Sequence, residues 1–555
     1  MVLYCRFLQL NVCFFGTRIT QDTFAPKFNE SMKKYLKFLA AALIAMSCSK
    51  GGFSGDGNTF YNDDGLEHGM IVLGGRLDNP YTTSNVRKAF AKLYPTKSES
   101  SVSSTNYYVR FLPKDQAEFE MLAGMGVEML DHPVDFEVVK EGDYYHDPSV
   151  GDDCITWQYA VVPLDFVFPD VKYEIIDECF IADNLPQTRA DDGIDWDEVE
   201  KESFALTGNS EMYAGNIATK ASSVQPSGRI TIVDEHANGG QPFGLAGVKV
   251  SCNTFVKFSS AYTDRDGYYT IPKKFSAKLR YRLVFKNEKG FAIGFNLILV
   301  PASFSTLGKA PASGLNYTVT RDSDGTLFRR SAANNAAYDY YSRCSGDDMN
   351  ISTPPADLRI WLFKNLSASS AVMIHHGAIV NSSSIAAYLG YYASLIKFFA
   401  PDITIGTKDN DSYRDIYDSV CHELAHASHF SQVGTGYWNK YIQFIVMSYL
   451  ETGGKTYGTG NEALAGYCEV GEMWGYYVES MMHKERYGGT VPDYGTGYWF
   501  YPQIFRYLED RGISRSEIFA ALTPEVIDRT TLQQQLIKLY PKKKTVIEQV
   551  FNRYR

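Results

Sequence analysis

A short run at residues 418–429 constrains this 555-residue chain more than any other feature. It reads Asp-Ser-Val-Cys-His-Glu-Leu-Ala-His-Ala-Ser-His, which places His422 and His426 four positions apart. Residues at this spacing are rotated by about 40° on an α-helix, so both imidazoles can reach one metal ion. Glu423 lies beside the same face. The spacing predicts a helix that carries two metal ligands and a neighbouring carboxylate.

The residues around this run favour a helix with one apolar face. Asp411 or Ser412 can cap its N-terminus. Apolar residues recur at helical spacing at Ile416, Val420, Leu424 and Ala427. At about 100° per residue this stripe lies away from the two histidines. We therefore expect one face to pack against the protein and the other to bind the ion.

Catalytic zinc sites use three protein ligands and keep one position open, so this run needs a third ligand. In a metzincin the run continues with glycine at position 429 and histidine at position 432. This chain has His429 and Gln432 there, which excludes that class. His429 lies about 4.5 Å further along the helix than His426 and is left out of the ligand set. Two interpretations of His429 are kept, a hydrogen bond to the site and a simple buried histidine.

A second predicted helix, at residues 461–480, offers four carboxylates for the third position. They are Glu462, Glu469, Glu472 and Glu479. The stretch Glu-Met-Trp-Gly-Tyr-Tyr at 472–477 resembles the glutamate helix of gluzincins, and that resemblance implies Glu472 as the ligand. Glu469, about 60° away on the helix, is the alternative. The glycine-rich residues 433–460 form an insert between the two helices.

The resemblance to gluzincins implies a zinc ion and hydrolysis of peptide bonds by an endopeptidase. Glu423 would take a proton from the attacking water and return it to the leaving amine. Candidate donors to the oxyanion are Tyr476, Tyr477, His375 and His376. Two other functions stay open, a zinc amidase acting on a non-peptide bond and a surface adhesin or scaffold that binds glycan or protein. The intact Glu423 argues against the scaffold, because binding alone needs no general base.

Cys421 and Cys468 flank the candidate site on the two predicted helices. A disulfide between them would clamp the helices together in an oxidising compartment, and two separate buried thiols are the alternative. The other cysteines after residue 48 are at positions 154, 179, 252 and 344. Cysteines this sparse do not build a disulfide scaffold, so stability has to come from hydrophobic cores.

Residues 32–48 have the pattern of a secretory leader, with lysines before a short apolar stretch and a small residue before Cys48. The apolar stretch is too short to span a bilayer. Its end resembles a bacterial lipobox, which implies lipidation at Cys48 and anchoring in a Gram-negative envelope, at the periplasmic face or the cell surface. Met32 is then the expected start, residues 1–31 are an upstream extension, and residues 49–65 are a flexible tether.

The rest of the chain predicts a multidomain protein of mixed helices and strands. Residues 66–183 indicate an α+β domain, with strands at 106–112, 127–130 and 136–139 and a helix at 115–122. The stretch Glu-Gly-Asp-Tyr-Tyr-His-Asp-Pro at 141–148 resembles secreted lipoprotein metallopeptidases of gut Bacteroidetes. A prodomain and a substrate-binding module are both open roles for this domain. Residues 184–227 predict an acidic linker with one short helix.

Residues 228–299 predict a small β-sandwich. Its strands are expected at 228–233, 247–252, 268–271 and 279–285. The stretches at 245–251 and 263–272 resemble the carboxypeptidase-regulatory-like, transthyretin-type module. Asp264 and Asp266 suit a turn that ends at Gly267 better than a calcium site.

Residues 300–555 are the predicted α+β zincin catalytic domain. Strands are expected at 358–363, 371–374 and 402–405, and helices at 385–399 and through 501–555. An open edge of this sheet would pair with an extended peptide substrate. The net charge of −10 argues against a nucleic-acid partner, so a protein or peptide substrate is the expected partner.

Overall fold

The computed structural model describes residues 70–554 apart from 98–101, 143, 152–153, 186–192, 214–221, 295–303, 323, 347–348, 365–368, 379–400, 453–454 and 491–496. The leader with Cys48, the extension before it, the tether after it and the predicted helix at 385–399 lie outside these residues. The described part is multidomain and mixes helices with sheets. None of its helices has both the length and the apolar character needed to cross a bilayer.

The first unit combines two small antiparallel sheets with helices. Its elements are β1 (Val72–Arg76), α1 (Thr83–Leu93), β2 (Asn106–Leu112), α2 (Gln116–Gly124), β3 (Phe136–Lys140), β4 (Gln158–Pro163) and β5 (Lys172–Cys179). One sheet has the order β4-β2-β5, and the other pairs β1 with β3. The predicted strand at 127–130 is wrong, because the N–H of Val127 turns back to the carbonyl of Leu122 at the end of α2. Only Leu130 pairs, in a single bridge with Tyr159.

The short helix predicted in the acidic segment is confirmed as α3 (Trp196–Leu206). The side chain of Asp195 caps it by accepting a hydrogen bond from the N–H of Glu198. Val199 and Phe204 on its inner face are buried. The Ser203 hydroxyl donates to the Pro80 carbonyl over 2.6 Å. This helix therefore packs into the first unit.

Two facing sheets form the second unit. Its strands are β6 (Ser227–Ile232), β7 (Phe243–Gly244), β8 (Lys249–Thr254), β9 (Lys257–Tyr262), β10 (Tyr268–Thr270), β11 (Leu279–Val284), β13 (Phe304–Ala310) and β14 (Tyr317–Val319). One sheet has the order β10-β6-β14 with β7 also on β6, and the other has the order β13-β11-β8-β9. The unit thus continues to residue 319, past the predicted boundary at 299. Asp264 forms the expected turn, accepting from the N–H groups of Asp266 and Tyr268.

A parallel three-stranded sheet precedes the histidine helix. It contains β12 (Ala292–Ile293), β15 (Arg359–Lys364) and β16 (Ile403–Thr407), with β15 in the centre. The predicted strand at 371–374 is wrong. Ser370 pairs with Thr404 on the edge strand, but Met373 has a positive φ of 53° and the chain then turns.

Helices make up most of the remaining chain. They are α4 (Gly325–Cys344), α5 (Tyr413–Thr452), α6 (Ala465–Tyr487), α7 (Gln503–Glu509), α8 (Arg515–Ala520), α9 (Arg529–Leu539) and α10 (Lys544–Phe551). The Ser412 hydroxyl accepts from the N–H of Asp415 and caps α5, as expected. Gly434, with a φ of 76° and a ψ of 174°, breaks α5. Much of the predicted insert at 433–460 therefore forms a second helical segment.

The second unit and the helical region share one hydrophobic core. It runs from Ile230 in β6, through α4, to the C-terminal helices. Buried amides reinforce the junction, since Asn335 accepts from the N–H of Ala246 and donates to the carbonyl of Gly244. Asn334 also donates to the carbonyl of Ala246. The β unit therefore supports the helices that carry the candidate site.

Candidate metal centre

Helices α5 and α6 bring two histidines and one glutamate together. The Nε2 atoms of His422 and His426 lie 3.0 Å apart, and each is 3.6 Å from a carboxylate oxygen of Glu472. Tetrahedral zinc at about 2.05 Å from each ligand sets the ligands about 3.3 Å apart. These side chains and that of Glu423 are at most 3% exposed. The three predicted ligands therefore form a buried group that could hold a metal ion.

Gly475 allows α6 to approach the histidines this closely. A Cβ atom at this position would lie 2.9 Å from the Nε2 atoms of both His422 and His426. No side chain fits there without moving an imidazole, so the small residue in the 472–477 stretch has a steric role.

Gly475→Ala should lower metal affinity by about tenfold or more, because the new methyl group displaces imidazoles that must hold their positions within about 0.2 Å. Gly436→Ala, on the second segment of α5, is the control. A Cβ there would meet no atom within 4 Å. Chelator competition on both variants measures the difference, and equal affinities would remove the steric argument.

The electrostatics of the group suit a cation. Burial lowers the pKa of His426 to about 3, which keeps its imidazole neutral. Burial opposes ionisation of Glu472, but the neighbouring imidazoles and the hydrogen bond from the Tyr441 hydroxyl outweigh it and lower the pKa of this carboxyl below its ordinary value. Tyr441 donates to Glu472 over 2.5 Å. A neutral imidazole and an ionised carboxylate are the forms that bind metals.

Glu479 orients one of the histidines. Its carboxylate accepts a hydrogen bond from Nδ1 of His422 over 3.0 Å. This contact keeps the proton on Nδ1, so that the lone pair of Nε2, which faces His426 and Glu472, is the one that can bind an ion. The arrangement is the carboxylate–histidine support found at many metal sites.

Glu479→Ala should weaken metal binding by about tenfold to a hundredfold, since His422 loses the acceptor that sets its tautomer. Glu485→Ala, on the same helix, is the matched control. Glu485 pairs with Arg343 and Arg515 and is 30% exposed. Metal content after dialysis against a weak chelator reports the effect. An equal loss in both variants would mean that Glu479 acts only through the stability of α6.

Glu423 is held beside the ligands with part of its carboxylate unused. It accepts a hydrogen bond from the backbone N–H of Ala371. Its Oε2 atom is buried and has no hydrogen-bond partner among the described residues. Burial raises the pKa of Glu423 to about 8. A carboxyl with this pKa is largely protonated at neutral pH, and a cation in the candidate metal position would lower the pKa and make Glu423 a proton acceptor.

The other carboxylates of the second helix have different partners. Glu469, the alternative ligand, accepts from the N–H of Arg529 over 2.9 Å and lies 3.4 Å from its guanidinium. Glu462 binds backbone N–H groups of the turn before α6. Of the four candidates, the structure places Glu472 with the histidines.

The candidate oxyanion donors lie in different places. The ring of Tyr476 contacts His422, with centroids 4.6 Å apart, and its hydroxyl is 3.4 Å from that of Tyr457. Tyr477 points to α7, where it donates to Glu509 over 2.9 Å. His376 is held by the buried Asp402 over 2.9 Å, and the ring of His375 packs against it. Tyr476 is therefore the candidate donor that borders the ligands.

His429 and the two cysteines complete the surroundings of the group. His429 is buried between the rings of Tyr437 and Trp438, and neither of its ring nitrogens has a hydrogen-bond partner among the described residues. Burial lowers its pKa to about 3. Cys421 and Cys468 are buried free thiols, so the disulfide is not formed.

Two contacts at the site were not expected from the sequence. Tyr441 reaches Glu472 from the second segment of α5, and the N–H of Ala371 reaches Glu423 from the turn after β15. No local sequence pattern indicates that either position contacts the site. Helical spacing does indicate Glu479, because it lies two helical turns after Glu472 and shares its face.

The chain matches no family model, no curated protein and no solved structure.

Proposed function

We propose that this protein is a zinc-dependent hydrolase of peptide bonds. The observation that supports it best is the buried group of His422, His426 and Glu472 with the unused carboxylate oxygen of Glu423 beside it. A metal-binding scaffold needs the three ligands but not a neighbouring proton acceptor. The fourth residue therefore favours an enzyme.

Zinc is the proposed ion because two imidazole nitrogens and one carboxylate oxygen are a typical ligand set of catalytic zinc. When bound, zinc acts as a Lewis acid toward water and toward the carbonyl of the substrate. The protein holds the ligands in the required forms, with the tautomer of His422 set by Glu479 and the charge of Glu472 supported by Tyr441. The gluzincin class remains part of the proposal, on the strength of Glu472.

Glu423 is the proposed general base and acid. Its carboxylate takes the proton of the attacking water and delivers it to the leaving amine, so that it ends the cycle as it began. The Ala371 N–H binds the carboxylate and orients it. Tyr476 is the proposed donor to the oxyanion, because its ring borders His422.

We further propose that the protein acts outside the cytoplasm as a lipoprotein anchored through Cys48, on extracellular or periplasmic proteins. The leader pattern supports export, and the cysteine at its end supports lipidation.

The side chains of His422, Glu423, His426 and Glu472 are almost completely buried, so substrate reaches Glu423 only when covering segments move.

Metal content and peptide cleavage test this function together. Protein comprising residues 49–555 is purified, its zinc is measured, and it is incubated with a peptide library with and without a chelator. We expect about one zinc per chain and cleavage that the chelator stops and zinc restores. Zinc-loaded protein that cuts no peptide but releases an amine from small non-peptide amides would instead identify an amidase. Zinc binding without hydrolysis of either would contradict the proposal.

A further inference from the structure

A second polar site lies between the first unit and the β unit, at a cavity that shares no residue with the candidate metal centre. On one side is the outer face of the β13-β11-β8-β9 sheet, with Arg280 and Arg282 on β11 and Lys309 on β13. The segment from His132 to Val138 of the first unit forms the opposite side.

Arg282 carries a buried charge at this cavity. It is 3% exposed and forms no ion pair with a described carboxylate, and the charges of Asp131, Glu141 and Glu128 act on it only from a greater distance. Its guanidinium donates to Oδ1 of Asn253 over 2.8 Å and to Nε2 of His132 over 3.2 Å. Burial lowers its pKa to about 10, so it stays protonated at neutral pH. A buried cation of this kind favours an anion close by.

Asp131, the carboxylate whose charge acts most strongly on Arg282, is already engaged. Asp131 accepts from Nδ1 of His132 over 2.7 Å and from the N–H of Tyr145 over 2.6 Å. With its proton on Nδ1, the imidazole presents the lone pair of Nε2 to Arg282. Burial also lowers the pKa of His132 and keeps the ring neutral. His132, held by Asp131, therefore positions the Arg282 guanidinium, and neither residue forms an ion pair with it.

The lining adds more positive charge and apolar surface. Arg280 and Lys309 are directly opposite each other in the sheet register, an arrangement of like charges that is unfavourable by itself. Glu141 pairs with Arg280, and Glu211 is the carboxylate of the lining. Apolar walls come from Phe136, Val138, Met212 and Phe255. The lining itself thus carries three cations and one carboxylate beside a place for an apolar group.

We propose that this cavity binds an apolar monocarboxylate, with its carboxylate on the Arg282 guanidinium and its apolar body against Phe136, Met212 and Phe255. The planar guanidinium has N–H groups beyond the two that bind Asn253 and His132, and it matches a carboxylate in geometry. The C-terminal end of a peptide and a free fatty acid share this chemistry. A ligand with several charges suits the apolar walls less well.

Calorimetric titration of the whole chain with two acids and their neutral counterparts tests the proposal. N-acetyl-L-leucine represents a peptide end and hexanoate a fatty acid, and N-acetyl-L-leucinamide and hexanamide are the controls. At least one acid should bind more than about tenfold tighter than its amide, because a charged hydrogen bond is lost in the amide. The acid that binds more tightly shows whether the ligand is a peptide end or a fatty acid. No binding of either acid at millimolar concentration, or equal binding of acid and amide, would overturn the proposal.

Three variants locate the binding. Arg282→Met should weaken it by more than about tenfold. Lys309→Met changes an exposed side chain, so the fold is kept, and should weaken it by about two- to fivefold. Lys274→Met, at another exposed position of the same unit, should have no effect. If Arg282→Met does not fold, the comparison of Lys309→Met with Lys274→Met tests whether the acid binds in this cavity. Acid binding that is unchanged in both Arg282→Met and Lys309→Met would contradict the assignment.

Discussion

Glu423→Gln should lower kcat/KM for peptide cleavage by about a hundredfold to ten thousandfold while the metal content stays unchanged. The amide has nearly the shape of the carboxylic acid but cannot take a proton from water. The fold should be retained, because the amide keeps the shape of the side chain and Oε2 has no described partner to lose. Steady-state kinetics on a cleaved library peptide and metal analysis of the same sample measure the two effects.

Two further variants make this result specific. Glu423→Asp keeps a carboxylate but withdraws it by one methylene, so it should retain more activity than the glutamine variant. Glu469→Gln, at the carboxylate held by Arg529, should leave kcat/KM near that of the wild type. Cleavage by Glu423→Gln at the wild-type rate would show that Glu423 is not the proton acceptor, even if the metal site is correct.

Glu472→Ala should remove the metal, with a fall in affinity of more than about a hundredfold. Glu472 is the anionic member of the ligand group, and its loss leaves two neutral imidazoles. Peptide cleavage should be lost with the ion. Metal content after dialysis and the effect of a chelator on Tm report this directly, because an ion that binds the folded state raises Tm by an amount that grows with the logarithm of its affinity.

Glu469→Ala is the matched comparison, one helical turn away on α6. It removes the acceptor for the N–H of Arg529 at the start of α9, so Tm should fall while the metal stays bound. The chelator should therefore still lower the Tm of this variant, whereas it should not change that of Glu472→Ala. Metal loss from Glu469→Ala alone would transfer the ligand role to Glu469.

Local patterns predicted much of the secondary structure and failed where distant contacts decide. The alternating residues of β2 and the cap at Ser412 are signals carried by a few neighbouring residues, and both predictions are confirmed. The stretch at 371–374 has the composition of a strand, but the backbone turns at Met373. The sequence also placed a boundary at 299, although β13 and β14 pair with strands far earlier in the chain.

Some residues of the candidate site also follow from local patterns, whereas others depend on distant contacts. The rotation of His422 and His426 onto one face follows from helix geometry alone, and the glutamine at position 432 excludes a third histidine ligand there. By contrast, Glu472 is 46 residues beyond His426 (472 − 426 = 46), and helical periodicity cannot say which face of α6 meets α5.

The packing of α6 against α5 determines which face of α6 meets the histidines. Gly475 brings α6 against the imidazoles, which turns Glu472 toward them and Glu469 toward Arg529. The contact of Tyr441 with Glu472 likewise depends on the break at Gly434, which redirects the second segment of α5. The sequence by itself determined the candidate ligand pair and the neighbouring carboxylate, because these lie within one helical turn. Only the tertiary structure decided which carboxylate joins the two histidines and what supports it, because side-chain direction between distant segments is set by how they pack.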